Sequence, residues 1–193
     1  MKNYVFYMVL VIVLCSCAQG PFTISRPYRG PAPYGDGIHP GIDYDINTGT
    51  PIIAVSDGEV IHIAVADDGI ENGMFVIVVH GNHFATIYAH LSKVVVQKGQ
   101  LLKRGQLIGL SGASNSYGSK DHQHLHFGVC KIGTPDCRRM VNTVDPHKVW
   151  LGGQPQCFNP STDYSVYSQK DIILPIACGD YAKELKSKSK KKD

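Results

Sequence analysis

A chain of 193 residues holds one domain of ordinary size plus extensions. Its 43% apolar and 18% charged residues exclude a disordered chain, and its 20 Gly and 11 Pro, scattered without a repeat period, weigh against a helix bundle and for many short strands and turns. The formal charge is only +3 and there is no nucleic-acid motif, so no nucleic-acid partner is expected.

In chain order, Lys2 precedes an apolar run from Tyr4 to Leu14. The run is too short to span a bilayer comfortably and fits a secretory signal, here residues 1–16. Leu14-Cys15-Ser16-Cys17 resembles the bacterial lipobox, in which the last Cys is lipidated and becomes the mature N-terminus. Cys17 is therefore the expected lipidation site, and an extracytoplasmic, lipid-anchored protein is expected, facing the periplasm from the outer membrane. Removing Cys15 and lipidating Cys17 leaves Cys130, Cys137, Cys157 and Cys178, an even set that implies two disulfides in an exported protein. Three connectivities are possible. Cys130–Cys137 with Cys157–Cys178 is preferred because each closes a local loop.

Residues 18–38, rich in Pro and Gly, read as linker and entry loop, with 17–26 assigned to the linker. Strands are expected at Pro51–Val55, Glu59–Val65, Met74–Val79, Phe84–His90, Leu107–Leu110 and Leu125–Cys130, punctuated by turn signals such as Asp67-Asp68-Gly69, Glu71-Asn72-Gly73 and His80-Gly81-Asn82. Ser111–Asp121 is a polar loop. No segment has a helical period of useful length. The expected class is all-β, an antiparallel sandwich or barrel-like stack of short strands. Residues 181–193 carry six Lys against Glu184 and Asp193, and read as a basic disordered tail.

Three histidine motifs carry chemistry. In His39-Pro40-Gly41-Ile42-Asp43, Pro and Gly oppose a helix, and positions four apart in an extended segment share a face. His39 and Asp43 then point together, as a pair of zinc ligands would or as a hydrogen-bonded surface pair would. In His124-Leu125-His126-Phe127 the two imidazoles share one face of a strand, which is costly unless they are paired or coordinated. His90, in Tyr88-Ala89-His90-Leu91, is on its own more readily structural. Together, His39, Asp43 and one His of the 124/126 pair make the three protein ligands of a catalytic zinc site with one position open. No His-Glu-x-x-His helix supplies a carboxylate base, so the remaining His residues must handle protons.

In this order and spacing, His39-x-Gly-x-Asp43, Tyr88-Ala89-His90-Leu91-Ser92 and His124-Leu125-His126-Phe127 resemble the lysostaphin-type (LytM-like) zinc endopeptidases, which cleave peptidoglycan peptides. The resemblance extends to Thr50–Val60, to Lys98-Gly99-Gln100 through Gly109, and to Val144-Asp145-Pro146, covering roughly residues 27–151. It implies that family's antiparallel β fold, Zn2+ as cofactor, and His39, Asp43 and His126 as metal ligands. It further implies that His124 and His90 position or deprotonate the water and stabilise the oxyanion. Peptidoglycan stem peptides or cross-links are the implied substrate. Direct D-alanine–diaminopimelate links are favoured over glycine bridges by the anchor.

Two departures bear on the groove wall. Lys120-Asp121-His122-Gln123 precedes the His pair where a Gly-Pro-type approach is common, and Gly128 stands where an acidic residue often follows Phe127. The segment Cys130–Arg139 and residues 152–180, read as a disulfide-bonded extension that wraps back on the domain, have no counterpart in the family. The alternative function is a non-enzymatic regulator of other wall hydrolases. Such domains typically lack several ligands, whereas all five site positions are filled here.

Overall fold

The computed structural model describes residues 22–33, 35–64, 73–114, 122–132 and 137–189. The signal segment, Cys17 and most of the Ser111–Asp121 loop lie outside the described residues.

Among the described residues, eleven antiparallel strands form two sheets. The larger has the order β1 (Thr23–Arg26), β2 (Ile42–Asp45), β10 (His124–Lys131), β6 (Phe84–Ala89), β5 (Phe75–His80), β4 (Gly58–Ala64), β8 (Leu101–Leu102), with β11 (Thr143–Val144) also pairing β10. The smaller has the order β3 (Pro51–Ile53), β9 (Leu107–Ser111), β7 (Leu91–Val94). This is the all-β antiparallel class expected from the sequence.

The two-residue period of the strands decides what lies where. In β10, Leu125, Phe127 and Val129 enter the main core, which they share with Ile42, Tyr44, Val76, Val78 and Tyr88 of the large sheet and Ile52, Ile53, Leu91 and Ile108 of the small one. His124, His126, Gly128 and Cys130 therefore point to the opposite face. There Ile77, Ala85, Ile87, Ala89 and Met140 form a second, smaller apolar cluster. Removing the core-facing side chains from water holds β10 in place, at roughly 1.5–3 kcal/mol for each large side chain. A one-residue slip would exchange the imidazoles for the core residues, so the register is tightly specified.

A chain of polar contacts crosses the core. His80 donates Nδ1–H to the Asp57 carbonyl at 2.9 Å, and its Nε2 lies 2.8 Å from the Thr86 hydroxyl. The Thr86 and Tyr88 hydroxyls are 3.1 Å apart, and Tyr88 accepts the Val55 N–H at 3.2 Å. Each polar group in this chain of contacts thus has a partner. His80, placed at a turn by the sequence, is the fully buried last residue of β5.

Three sequence readings are corrected. The 17–26 linker is not linker throughout, because Thr23–Arg26 adds β1 to the edge of β2. The extension is not attached through its disulfide: Cys157–Cys178 closes a loop within it, as preferred, alongside Cys130–Cys137. Its attachment is apolar and backbone-mediated. Ile172, Ile173, Leu174, Ile176 and Ala177 are buried in the main core, and the Ile53 N–H donates to Pro175 while the Ala177 N–H donates to Pro51. Finally, the described part of the basic tail is not disordered. Gly179–Ser189 forms a helix, α1. Leu185 is buried, Tyr181 and Ala182 pack on the core, and the Tyr181 hydroxyl donates to the Gly105 carbonyl at 2.8 Å. Asp180 in the first turn and Lys186 and Lys188 in the last complement the helix dipole. The lysines dominate the composition, but the apolar anchors decide the conformation.

Candidate metal centre

Strands β2 and β10 are paired so that Asp43 stands directly opposite His126. His39 approaches from the loop before β2. Its Nε2 lies 3.0 Å from Asp43 Oδ1 and 2.9 Å from His126 Nδ1, and His126 Nδ1 lies 2.7 Å from Asp43 Oδ1. All three side chains are buried. Gly41 makes the approach possible. A Cβ there would meet the Phe127 carbonyl oxygen and stand 2.7 Å from His126 Nε2.

These three residues are a group whose ligand atoms all lie within 4.8 Å of one another. Two imidazole nitrogens and one carboxylate oxygen are a donor set suited to zinc. Their mutual separations are a few tenths of an ångström shorter than the edge of about 3.3 Å of a tetrahedron with bonds of about 2.0 Å. Both imidazoles are also fixed from behind. His39 donates Nδ1–H to the Pro27 carbonyl at 3.0 Å, leaving the Nε2 lone pair facing Asp43. His126 Nε2 lies 3.2 Å from the Met140 sulfur. Arg26 Nη1 reaches Asp43 Oδ2 at 3.5 Å, on the oxygen turned away from the two imidazoles. Burial works to raise the Asp43 pKa, but the hydrogen bonds and charges of His126 and His39 outweigh it and hold the carboxyl well below the ordinary range.

His90 and His124 stand beside this group, their rings 4.5 Å apart, with His124 Nε2 3.9 Å from Asp43 Oδ1. His124 Nδ1 is 2.9 Å from the His122 carbonyl, and His90 Nδ1 is 2.8 Å from that of Ser114. A carbonyl only accepts, so both Nδ1 atoms carry the proton and both Nε2 lone pairs are free to accept one. Desolvation pushes the His90 pKa down to about 3, helped by the charges of His124 and His126. Desolvation also lowers that of His124, against the pull of Asp43. Both rings are therefore neutral near pH 7. His90 adopts φ 62°, a conformation unusual for a residue with a side chain, at the junction of β6 and β7.

All five residues line an open groove of about 920 Å³, together with Tyr28, His122, Met140 and four arginines, Arg26, Arg29, Arg138 and Arg139. Peptidase family M23 matches residues 37–138, more than half of the chain.

The chain belongs to peptidase family M23. The peptidoglycan DD-endopeptidase ShyA of Vibrio cholerae is 39% identical over 97 residues, which cover 50% of this chain and 21% of that protein. Among solved structures, the catalytic domain of the antimicrobial peptidase lysostaphin from Staphylococcus simulans superposes with a TM-score of 0.52 at 29% identity, covering 64% of this chain and 85% of that one. A zinc-containing peptidase from Vibrio cholerae gives a TM-score of 0.51 at 30% identity, covering 64% and 36%. The chain spans about a fifth of the length of the curated relatives it matches.

The M23 match fits the LytM-like resemblance, and the fold brings His39, Asp43, His90, His124 and His126 into one groove. The residues that hold them in place had no sequence signal. Three are backbone carbonyls, of Pro27, Ser114 and His122, which any residue type supplies. Arg26 and Met140 reach the centre from segments that carry no motif to place them there.

Proposed function

We propose that this M23 chain is a zinc-dependent endopeptidase that hydrolyses peptide cross-links of peptidoglycan. The observation that carries it is the convergence of His39 Nε2, Asp43 Oδ1 and His126 Nδ1 beside two neutral imidazoles in an open groove. His39, Asp43 and His126 would hold the ion. When bound, zinc supplies Lewis acidity, polarising a carbonyl and lowering the pKa of a water to about 7. His124 and His90, each with Nδ1–H committed to a carbonyl, accept a proton at Nε2. The ring that takes it then becomes a donor, able to stabilise developing negative charge or to protonate the leaving amine.

Four arginines, Arg26, Arg29, Arg138 and Arg139, line the groove against two acidic residues, Asp36 and Asp43, and Arg26 is paired with Asp43. That balance suits stem peptides bearing free carboxylates better than a neutral glycine bridge, and so favours direct D-alanine–diaminopimelate links. Lipid attachment at Cys17 would hold the enzyme in the envelope beside that substrate.

The test is digestion of cross-linked muropeptides by purified protein, with products identified by mass spectrometry. Cleavage that stops with a strong chelator and returns with zinc is expected. Metal uptake without any cleavage, combined with stimulation of another wall hydrolase, would point instead to the regulatory reading.

A further inference from the structure

We propose that Met140 is a positioning residue for the metal centre. Its thioether accepts the Nε2–H of His126, and so fixes the tautomer that presents Nδ1 to the ion. This rests on the metal reading above.

Four observations carry it. First, the Met140 sulfur lies 3.2 Å from His126 Nε2, on the opposite side of the ring from Asp43 and His39. A thioether has no proton to give, so the contact requires the proton to be on Nε2. Asp43 pulls the other way, because its carboxylate 2.7 Å from Nδ1 favours a proton there. An acceptor behind the ring therefore has work to do that a purely apolar neighbour could not.

Second, the chain makes room for this sulfur. Gly128 lies two residues beyond His126 on the same face of β10. A Cβ at Gly128 would stand 2.7 Å from the Met140 sulfur and 3.0 Å from its Cε. Any side chain there would displace the thioether.

Third, the segment that carries Met140 is tied at both ends to the strand that carries His126. The Cys130–Cys137 disulfide fixes one end, and the pairing of β11 with β10, Cys130 opposite Thr143 and Val129 opposite Val144, fixes the other. Between the ties, Met140 donates its N–H to the Cys137 carbonyl and adopts φ 54°. A left-handed conformation is strained in a residue with a side chain, so the two ties must hold it there.

Fourth, Met140 is buried at 7% exposure, whereas its neighbours Arg138, Arg139, Val141 and Asn142 are all exposed. The segment directs one side chain inward, and that side chain ends on the ligand imidazole. Partners behind a ligating histidine generally set its orientation and basicity.

Zinc affinity should be measured by competition with a chelating indicator for wild type, Met140→Leu and Gly128→Ala. Long-range proton–nitrogen spectra of the His126 ring should be recorded in the zinc-loaded proteins. Leucine preserves the volume and apolar packing and removes only the acceptor. Expected for Met140→Leu are a zinc affinity about tenfold lower, an unchanged melting temperature without metal, and a displaced, faster-exchanging Nε2–H signal. Gly128→Ala, which keeps the methionine but pushes it away, should lower affinity similarly and serves if the leucine variant does not fold. Wild type that takes up no zinc overturns the metal reading and this role with it. Zinc-binding wild type with Met140→Leu affinity within about twofold and an unmoved Nε2–H signal overturns the role of Met140 alone.

Discussion

Adding one methyl group at Gly41 should empty the metal centre without unfolding the protein. An alanine Cβ there stands 2.7 Å from Nε2 and 2.9 Å from Cε1 of His126. Carbon against a ring atom settles at about 3.5 Å, so the imidazole must withdraw by about 0.7 Å. The other neighbour, the Phe127 carbonyl, is closer still and is held by the pairing of Phe127 with Ile42, so the His39 loop must also lift away from β10. Metal–ligand distances tolerate about 0.2 Å. The ring is thus displaced by several times what the coordination allows. Zinc affinity is expected to fall at least about tenfold to a hundredfold. Turnover at subsaturating metal should fall by a factor on the order of 10², as for other misplacements near 1 Å. Overpacking should cost about 1–3 kcal/mol of stability, not the whole fold. Zinc content by elemental analysis, thermal melting without metal, and muropeptide turnover measure the three effects. A Gly41→Ala protein with full zinc and wild-type turnover would refute the close approach of the His39 loop to β10.

Replacing His39, Asp43 or His126 by Ala should abolish both zinc uptake and turnover. Replacing His124 or His90 should leave most of the zinc but cost about 10²–10³-fold in rate; zinc content with turnover for each variant checks the division, and His124→Ala losing zinc while His126→Ala keeps it would reverse the pair. Desolvation lowers the His80 pKa to about 4 from 6.5, against the pull of the Asp57 carbonyl. The folded state therefore binds fewer protons than the unfolded one, and the stability His80 contributes is complete above about pH 6.5 and lost as pH falls toward 4, about 3 kcal/mol in all. Denaturant melts across that window should show a shallower pH slope for His80→Gln than for wild type. Intact-mass measurement of protein made in a bacterial envelope should show acyl chains on Cys17, and an unmodified N-terminus at Ala18 or beyond would exclude the anchor.

The strands were legible because their apolar residues alternate, and β10 shows the alternation most clearly, with Leu125, Phe127 and Val129 inward and His124 and His126 outward. The five polar site residues were legible for the same reason: burying them without partners is costly, so their grouping in three motifs asks for an explanation. The edge strand at Thr23–Arg26 was not legible. Its side chains are mostly exposed, and its strand conformation comes from pairing with β2 rather than from a pattern of its own. Helix α1 was hidden by its lysines, since Tyr181, Ala182 and Leu185 supply too few apolar positions to show a period. Met140 was invisible because its role depends on Gly128, twelve residues away, leaving space that only the fold brings next to it.

The burial of Ile172–Ala177 against β3 bears on how this protein can be taken apart. Residues 37–138 mark what is shared with relatives, but they do not mark a unit that can be excised. A fragment ending near Gly152 would leave Ile52, Ile53 and Trp150 facing water where the last strip of chain now covers them. Exchanging catalytic segments with a relative therefore requires carrying the chain beyond Gly152 along, or redesigning the surface it leaves behind. By the same dependence, a truncation before Ile172 is expected to destabilise the fold although it would remove none of the five groove residues.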